Sequence, residues 1–137
     1  AAAVAPMARR TFANPVHTIL DWAPANHAVP AAETRSALGM AAALEALAPS
    51  PLVVLIGSAP TALERLLELV AAGACPPPAL VIGMPVGFVG VEESKRHLGA
   101  SGLAHLRLEG SKGGAGLVAA ACNALLRHAW LAADQDP

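Results

Sequence analysis

Tyrosine is absent, and two phenylalanines and two tryptophans bring the aromatic content to only 3%. That scarcity excludes a binder that stacks nucleobases on aromatic side chains, and it leaves Ala, Leu and Val to build the core. Charge of one sign is lacking too. Nine Lys and Arg against ten Asp and Glu give a formal net charge of -1, so no global field favours a phosphate backbone or an anionic membrane, and neither nucleic acid nor membrane is expected as a partner. An anionic ligand must be held by local groups.

The two cysteines, Cys75 and Cys122, stand in no C-x-x-C or Cys/His ligand spacing. This excludes a zinc motif and a disulfide framework and points to a reducing, cytoplasmic compartment. His17, His27, His97, His105 and His128 are scattered without metal-ligand spacing, so no metal is expected and each reads as a surface or packing residue. His17 is the partial exception, since it falls on a candidate first strand beside Asp21. No apolar run reaches the ~18 uninterrupted residues that span a membrane. The first ten residues lack the charged-then-apolar order of a secretory signal. They do not begin with Met, which points to a processed or incomplete chain, and residues 1–14 are expected to be disordered or a remnant.

A hydrophobic fraction of 55% over 137 residues is ample for one packed domain, residues 1–137. The run from Pro15 to Leu20 reads as a short strand broken by Asp21-Trp-Ala-Pro24. From Glu33 to Leu47, apolar residues Ala37, Leu38, Ala41, Leu44 and Leu47 recur at helical spacing until Pro49 and Pro51 end the segment. Leu52 to Ile56 is a continuous apolar run, the pattern of a central parallel strand covered on both faces. Ser58 as cap and Pro60 at the first helical position then open a helix that ends near Ala72-Gly73. Ala79 to Ile82 is a second buried strand, followed by a long loop and a helix near Glu92 to Leu98. His105 to Leu108 is a third, alternating strand, and Ala115 to Trp130 a final helix rich in small residues. Strand, loop and helix thus alternate four times, which predicts an α/β fold of three layers with a mostly parallel sheet flanked by helices. In such a sheet the ligand crevice lies outside the carboxyl ends of the strands.

Two glycine-rich loops fall there. Met84-Pro-Val-Gly-Phe-Val-Gly-Val-Glu-Glu-Ser-Lys95 leads from a strand into a helix whose free N–H groups attract anions, and it is neither a G-x-G-x-x-G fingerprint nor a P-loop. A plain tight turn would explain the glycines alone. Pro85, Val86, Gly87, Phe88 and Val89 together suit the apolar rim of a flat ligand better than solvent. Gly110-Ser-Lys-Gly-Gly114 places Lys112 beside the N–H donors around Gly113 and Gly114, a cradle for a carboxylate or phosphate. Thr34, Arg35 and Ser36 open a helix, where a hydroxyl caps and an Arg can clamp a carboxylate, although an ordinary cap with a solvated Arg fits the spacing as well. Gly57 and Ser58 invite the same two readings. Ser58 is not in a G-x-S-x-G elbow, and nothing marks a partner Asp and His for nucleophilic catalysis.

These stretches carry a likeness. Thr34-Arg-Ser-Ala37, Ile56-Gly-Ser-Ala-Pro-Thr-Ala-Leu63, Val81-Ile-Gly-Met-Pro-Val-Gly-Phe-Val-Gly90 with Glu93-Ser-Lys95, and Gly110-Ser-Lys-Gly-Gly114 with Ala121-Cys-Asn-Ala-Leu125 agree in order and spacing. Over roughly Pro15 to Leu126 the chain resembles the C-terminal portion of the precorrin-8X methylmutase (precorrin isomerase) family. The resemblance implies an α/β homodimer of cobalamin biosynthesis that moves a methyl group from C-11 to C-12 of the corrin ring, giving hydrogenobyrinic acid or its cobalt counterpart. It implies no cofactor. It also implies that Arg35, Lys95 and Lys112, with the N–H-rich loops, meet the carboxylates around a largely apolar macrocycle. The family pattern more often has Asn where Ser58 stands and Arg where Ser111 stands, which weakens one hydrogen bond and removes one cation. Its catalytic histidine belongs to an N-terminal portion that no stretch before Pro15 resembles. The expectations are therefore, in order, a methylmutase domain completed by that portion, a non-catalytic corrinoid-binding module, and a generic α/β domain.

Overall fold

Three short apolar runs become parallel strands because each is followed by a helix that carries the chain back to the same starting edge. In the computed structural model, which describes residues 1–134, the strands are β1 (Val53–Ile56), β2 (Leu80–Gly83) and β3 (His105–Arg107), and the helices α1 (Ala5–Arg10), α2 (Arg35–Leu47), α3 (Pro60–Ala71), α4 (Val91–Ala100) and α5 (Ala115–Asp134). The sheet order is β1-β2-β3, with Val53 opposite Leu80 and Val81 opposite His105, and both pairings are parallel. The last three residues of the expected domain, 135–137, lie outside the described residues.

Alternation along the strands divides two cores. Val54, Ile56 and Val81 join Met40, Leu44, Leu63, Leu66 and Leu98 from α2, α3 and α4 on one face. Ile82, with Leu55 and Leu80 packed alongside, joins Val4, Val118, Ala119 and Cys122 from the segment leading into α1 and from α5 on the other. The result is the expected three-layer α/β architecture. Leu63, Leu66, Val81, Ile82 and Leu98 are fully buried, and burying each side chain of this size contributes about 1.5–3 kcal/mol before the entropic cost of ordering it.

Four expectations are corrected. Pro15 to Leu20 is not a strand: it has no ladder partner among the described residues, and Ile19–Asp21 instead form a short 3-10 turn. That turn lies on α2, because a Cβ at Gly39 would stand 2.5 Å from the Ile19 carbonyl oxygen, so only glycine admits the approach. The alternation consequently holds three strands rather than four. The first of them, β1, is an edge strand with Val53 half exposed, and β2 takes the central place. Residues 1–14 do not remain a disordered remnant: Ala5–Arg10 are helical, and Val4 and Ala8 are buried, with Val4 packed among residues of α5. Helix α5 has 20 residues and is long and apolar enough to cross a membrane by length and composition only, while Gly116, Asn123, Arg127 and His128 keep it from being an uninterrupted apolar run. Its Val118, Ala119 and Cys122 pack on the sheet.

Candidate functional site

Parallel strands deliver all three following loops to one edge, and there the backbone glycines interlock. A Cβ on Gly57, just after β1, would stand 2.5 Å from the Ala115 Cα at the start of α5. A Cβ on Gly113 would overlap the Met84 carbonyl oxygen, and it would stand 2.8 Å from that of Pro85. Hydrogen bonds complete the contact: the Gly114 N–H donates to Met84 O at 2.8 Å, and the Gly87 N–H donates to Ser111 O at 3.3 Å. The two glycine loops therefore form one body. Gly87 (φ 136°), Gly90 (φ 72°), Gly110 (φ 75°) and Gly114 (φ 123°) occupy positive-φ conformations that a side chain would strain.

The tip of the first loop projects from this body. Phe88 is 96% and Val89 91% exposed, with Val86 half exposed beside them, while Pro85 is buried beneath. The tip is thus apolar and open to solvent. In the second loop Lys112 is exposed and makes no salt bridge among the described residues.

Lys95 does not join Lys112 at the rim. It is 1% exposed, and its Nζ donates to Gly110 O at 2.8 Å and also to Lys112 O. Burial pushes its pKa below the usual 10.5, opposed in part by Glu92 and Glu109. Its neighbour Ser94 is buried as well and donates to Val91 O at 2.9 Å. The face of α4 that carries Val91, Ser94, Lys95 and Leu98 is turned inward, so Lys95 supports the second loop from below.

Thr34 caps α2, its Oγ1 accepting from the Ala37 N–H at 3.1 Å and donating to Thr61 Oγ1 at 2.8 Å. Arg35 turns away, its Nε donating to Pro24 O at 3.0 Å. Ser36 is half-buried in the first turn of α2 and makes no side-chain hydrogen bond among the described residues. Ser58 is not the cap expected for α3: Ala59 occupies that place without a side-chain hydrogen bond, and Pro60 does stand at the start of the helix.

A second feature was not anticipated. The starts of α2, α3 and α4 border an open cleft of about 380 Å³ that includes Thr34 and Val89 together with Glu33, Glu64, Arg65 and Glu93. Arg65 Nη2 donates to both Glu33 oxygens at 2.7 Å, and this hydrogen bond and charge raise the Arg65 pKa. Glu64 pairs with His97 at 2.7 Å, and Glu93 has no cationic partner among the described residues. The cleft is thus acidic or self-neutralised, whereas the glycine body presents backbone donors and a free lysine. Thr61, Glu64, Arg65 and Glu68 recur at helical spacing on α3, the pattern by which a polar face can be read from sequence.

The remaining ionisable candidates stand apart from a catalytic arrangement. His17 is exposed and packs on Trp22, ring centroids 5.5 Å apart, and His105 bonds the Leu103 carbonyl through Nδ1 at 2.8 Å. Burial raises the Cys75 and Cys122 thiol pKa values, which makes both poor nucleophiles.

Comparison with known proteins places this arrangement in context. The family model described as CbiC: Precorrin-8X methylmutase matches residues 1–128, a span that begins ahead of Pro15, where the motifs alone start. A cobalt-precorrin-8 methylmutase of Synechocystis is 45% identical over 124 residues, which are 90% of this chain and 54% of that protein. A precorrin-8X methylmutase of Pseudomonas aeruginosa is 51% identical over 94 residues, 67% of this chain and 44% of that protein. The crystal structure of a precorrin-8X methyl mutase from Thermus thermophilus superposes with a TM-score of 0.76 at 41% identity, covering 97% of this chain and 62% of that one. The chain spans about half the length of the curated relatives it matches.

Proposed function

The chain belongs to the precorrin-8X methylmutase family, and from that premise we propose that it supplies the corrinoid-binding half of an isomerase of cobalamin (vitamin B12) biosynthesis. The substrate is precorrin-8X or its cobalt counterpart. The reaction moves a methyl group from C-11 to C-12 of the ring and gives hydrogenobyrinic acid or the cobalt equivalent, without a cofactor. The enzyme acts in the cytoplasm as a homodimer, with neither nucleic acid nor membrane as a partner.

One observation carries this reading: an exposed apolar tip stands beside a rigid cluster of backbone donors. The macrocycle lies on Val86, Phe88 and Val89, where removing its apolar face from water drives binding. Its peripheral carboxylates reach the Gly110–Gly114 loop and Lys112, where N–H groups and one cation are offered. Gly57 and Ser58 close the neighbouring wall. The glutamates of the adjoining cleft disfavour carboxylates there, so charge orients the ligand between the two regions. Thr34, Arg35 and Ser36 act at the far margin, where Arg35 must exchange its bond to Pro24 for a carboxylate.

The test is a visible-absorption titration of the chain with hydrogenobyrinic acid. A spectral shift and colour retained through gel filtration are expected; neither appearing would overturn the corrinoid reading. The histidine that protonates the ring during methyl migration belongs to the family's N-terminal portion. The 137 residues assayed alone are accordingly expected to show migration that is absent or very slow. Turnover comparable to a full-length family member would show that one of the five histidines serves instead, and replacing His17 would be the first test of which.

A further inference from the structure

Lys95 is the largest fully buried side chain in the structure, and no carboxylate of the described residues lies within ion-pairing distance of it. Burying an unpaired ammonium costs several kcal/mol unless its donors are satisfied. Here two of the three are satisfied, by the carbonyl oxygens of Gly110 and Lys112. In a planar trans peptide the C=O and the following N–H point in opposite directions. The Gly110 carbonyl shares its peptide with the Ser111 N–H, and the Lys112 carbonyl shares its peptide with the Gly113 N–H. Both peptides are trans. Drawing these two carbonyls toward Lys95 therefore turns the N–H groups of Ser111 and Gly113 away from it. Neither donates to any acceptor among the described residues. The intervening peptide is fixed the other way, since Ser111 O accepts from the Gly87 N–H of the first loop.

We propose that Lys95 is a positioning residue: it holds the second glycine loop so that the Ser111 and Gly113 N–H groups together grip one carboxylate of the corrinoid ligand. The inference rests on the corrinoid reading above and deepens it. The buried positive charge polarises both peptides in the sense that strengthens their N–H donors, and Lys112 adds a flexible, solvated cation at the same place. A buried lysine and an exposed one thus divide the work. The first sets geometry, and the second supplies attraction.

The test uses the ¹⁵N-labelled chain titrated with hydrogenobyrinic acid. The Ser111 and Gly113 amide protons are expected to move downfield further than that of Lys112. Lys95→Met is expected to weaken binding of hydrogenobyrinic acid by at least about tenfold, the scale of one lost charge-assisted hydrogen bond. Its effect on a form of the ligand with all side-chain carboxylates amidated should be much smaller, whereas general damage to the loop would weaken both alike. Should Lys95→Met fail to fold, the amide shifts of the unmodified chain decide the matter. Binding that leaves the Ser111 and Gly113 amides unmoved would overturn the role of Lys95 while leaving the corrinoid reading intact. A titration with no spectral change and no retained colour would overturn both.

Discussion

Gly113 should matter more to ligand binding than the lysine beside it. Any side chain at 113 meets the Met84 and Pro85 carbonyls, and backbone cannot yield as a flexible side chain does. Gly113→Val is therefore expected to separate the two glycine loops and abolish retention of hydrogenobyrinic acid. Lys112→Ala removes an exposed charge and is expected to weaken binding less than about tenfold; equal losses in the absorption titration would show that the loop is not an N–H cradle. Lys95 gives a second prediction at this scale. Its folded pKa lies below 10.5, so between that depressed value and 10.5 the unfolded chain binds more protons than the folded one. By linkage its destabilising contribution is fully present below the folded pKa and is relieved as pH rises toward 10.5. The buried thiols act oppositely, because their raised values make stability fall above pH 9.0. The difference in urea stability between the unmodified chain and Lys95→Met removes the thiol contribution, and it should move in favour of the unmodified chain as pH rises toward 10.5. A flat difference would mean that Lys95 is not desolvated. In the sequence, Lys95 reads as a third cation at the rim. Its inward direction was also legible, because Val91, Lys95 and Leu98 recur at i, i+4 and i+7, the spacing of a buried helical stripe.

Secondary elements were legible wherever an apolar period met a terminator. Pro49 and Gly57 each fall just beyond the segment they bound, Gly83 is the last residue of β2, and the observed limits lie close to those the pattern implies. The stretch from Pro15 to Leu20 escaped because strand propensity describes only a residue's readiness to pair. Pairing needs a free ladder, and Gly39 instead offers α2 as a seat for the Ile19 turn. The N-terminal segment escaped for a related reason: nothing local announces Ala8, which is buried on a helix that packs against the distant α5. The start of α2 supplies an element-scale prediction. Thr34→Ala removes the cap on the Ala37 N–H and the tie to Thr61, and should lower stability by about 1 kcal/mol. Leu63→Ala, at a fully buried position of the α2–α4 face, should cost about 2–5 kcal/mol. Urea midpoints with unchanged slopes would confirm that order; a Thr34 effect as large as the Leu63 effect would place the tie between α2 and α3, rather than the core, at the centre of this layer's stability.

At the scale of the whole molecule, the outer edges of β1 and β3 have no strand partner among the described residues, and the outward face of α5 is exposed. Leu117, Ala124 and Leu131 recur every seven residues on that face with Ala120 between them, and all four are exposed. An apolar stripe interrupted by alanines lets a second helix approach closely, the geometry of helix pairs that cross at small angles. The inward residues Val118, Ala119 and Cys122 are already committed to the sheet, so self-association through the outward stripe leaves the fold undisturbed. We expect the proposed homodimer to use this stripe, because the same patch on both copies makes a self-complementary interface that closes as a dimer. Ala124→Arg places a long cation in the middle of the stripe without touching either core. It should convert the dimer to a monomer in sedimentation velocity while leaving the urea midpoint of the monomer unchanged. A dimer that persists in Ala124→Arg would move the interface to the β1 edge. Because α5 is also long and apolar enough to cross a membrane, the same samples should be spun with lipid vesicles. Remaining in the supernatant as a dimer is the expected result, and co-sedimentation that Ala124→Arg abolishes would assign the stripe to lipid instead of to a second copy.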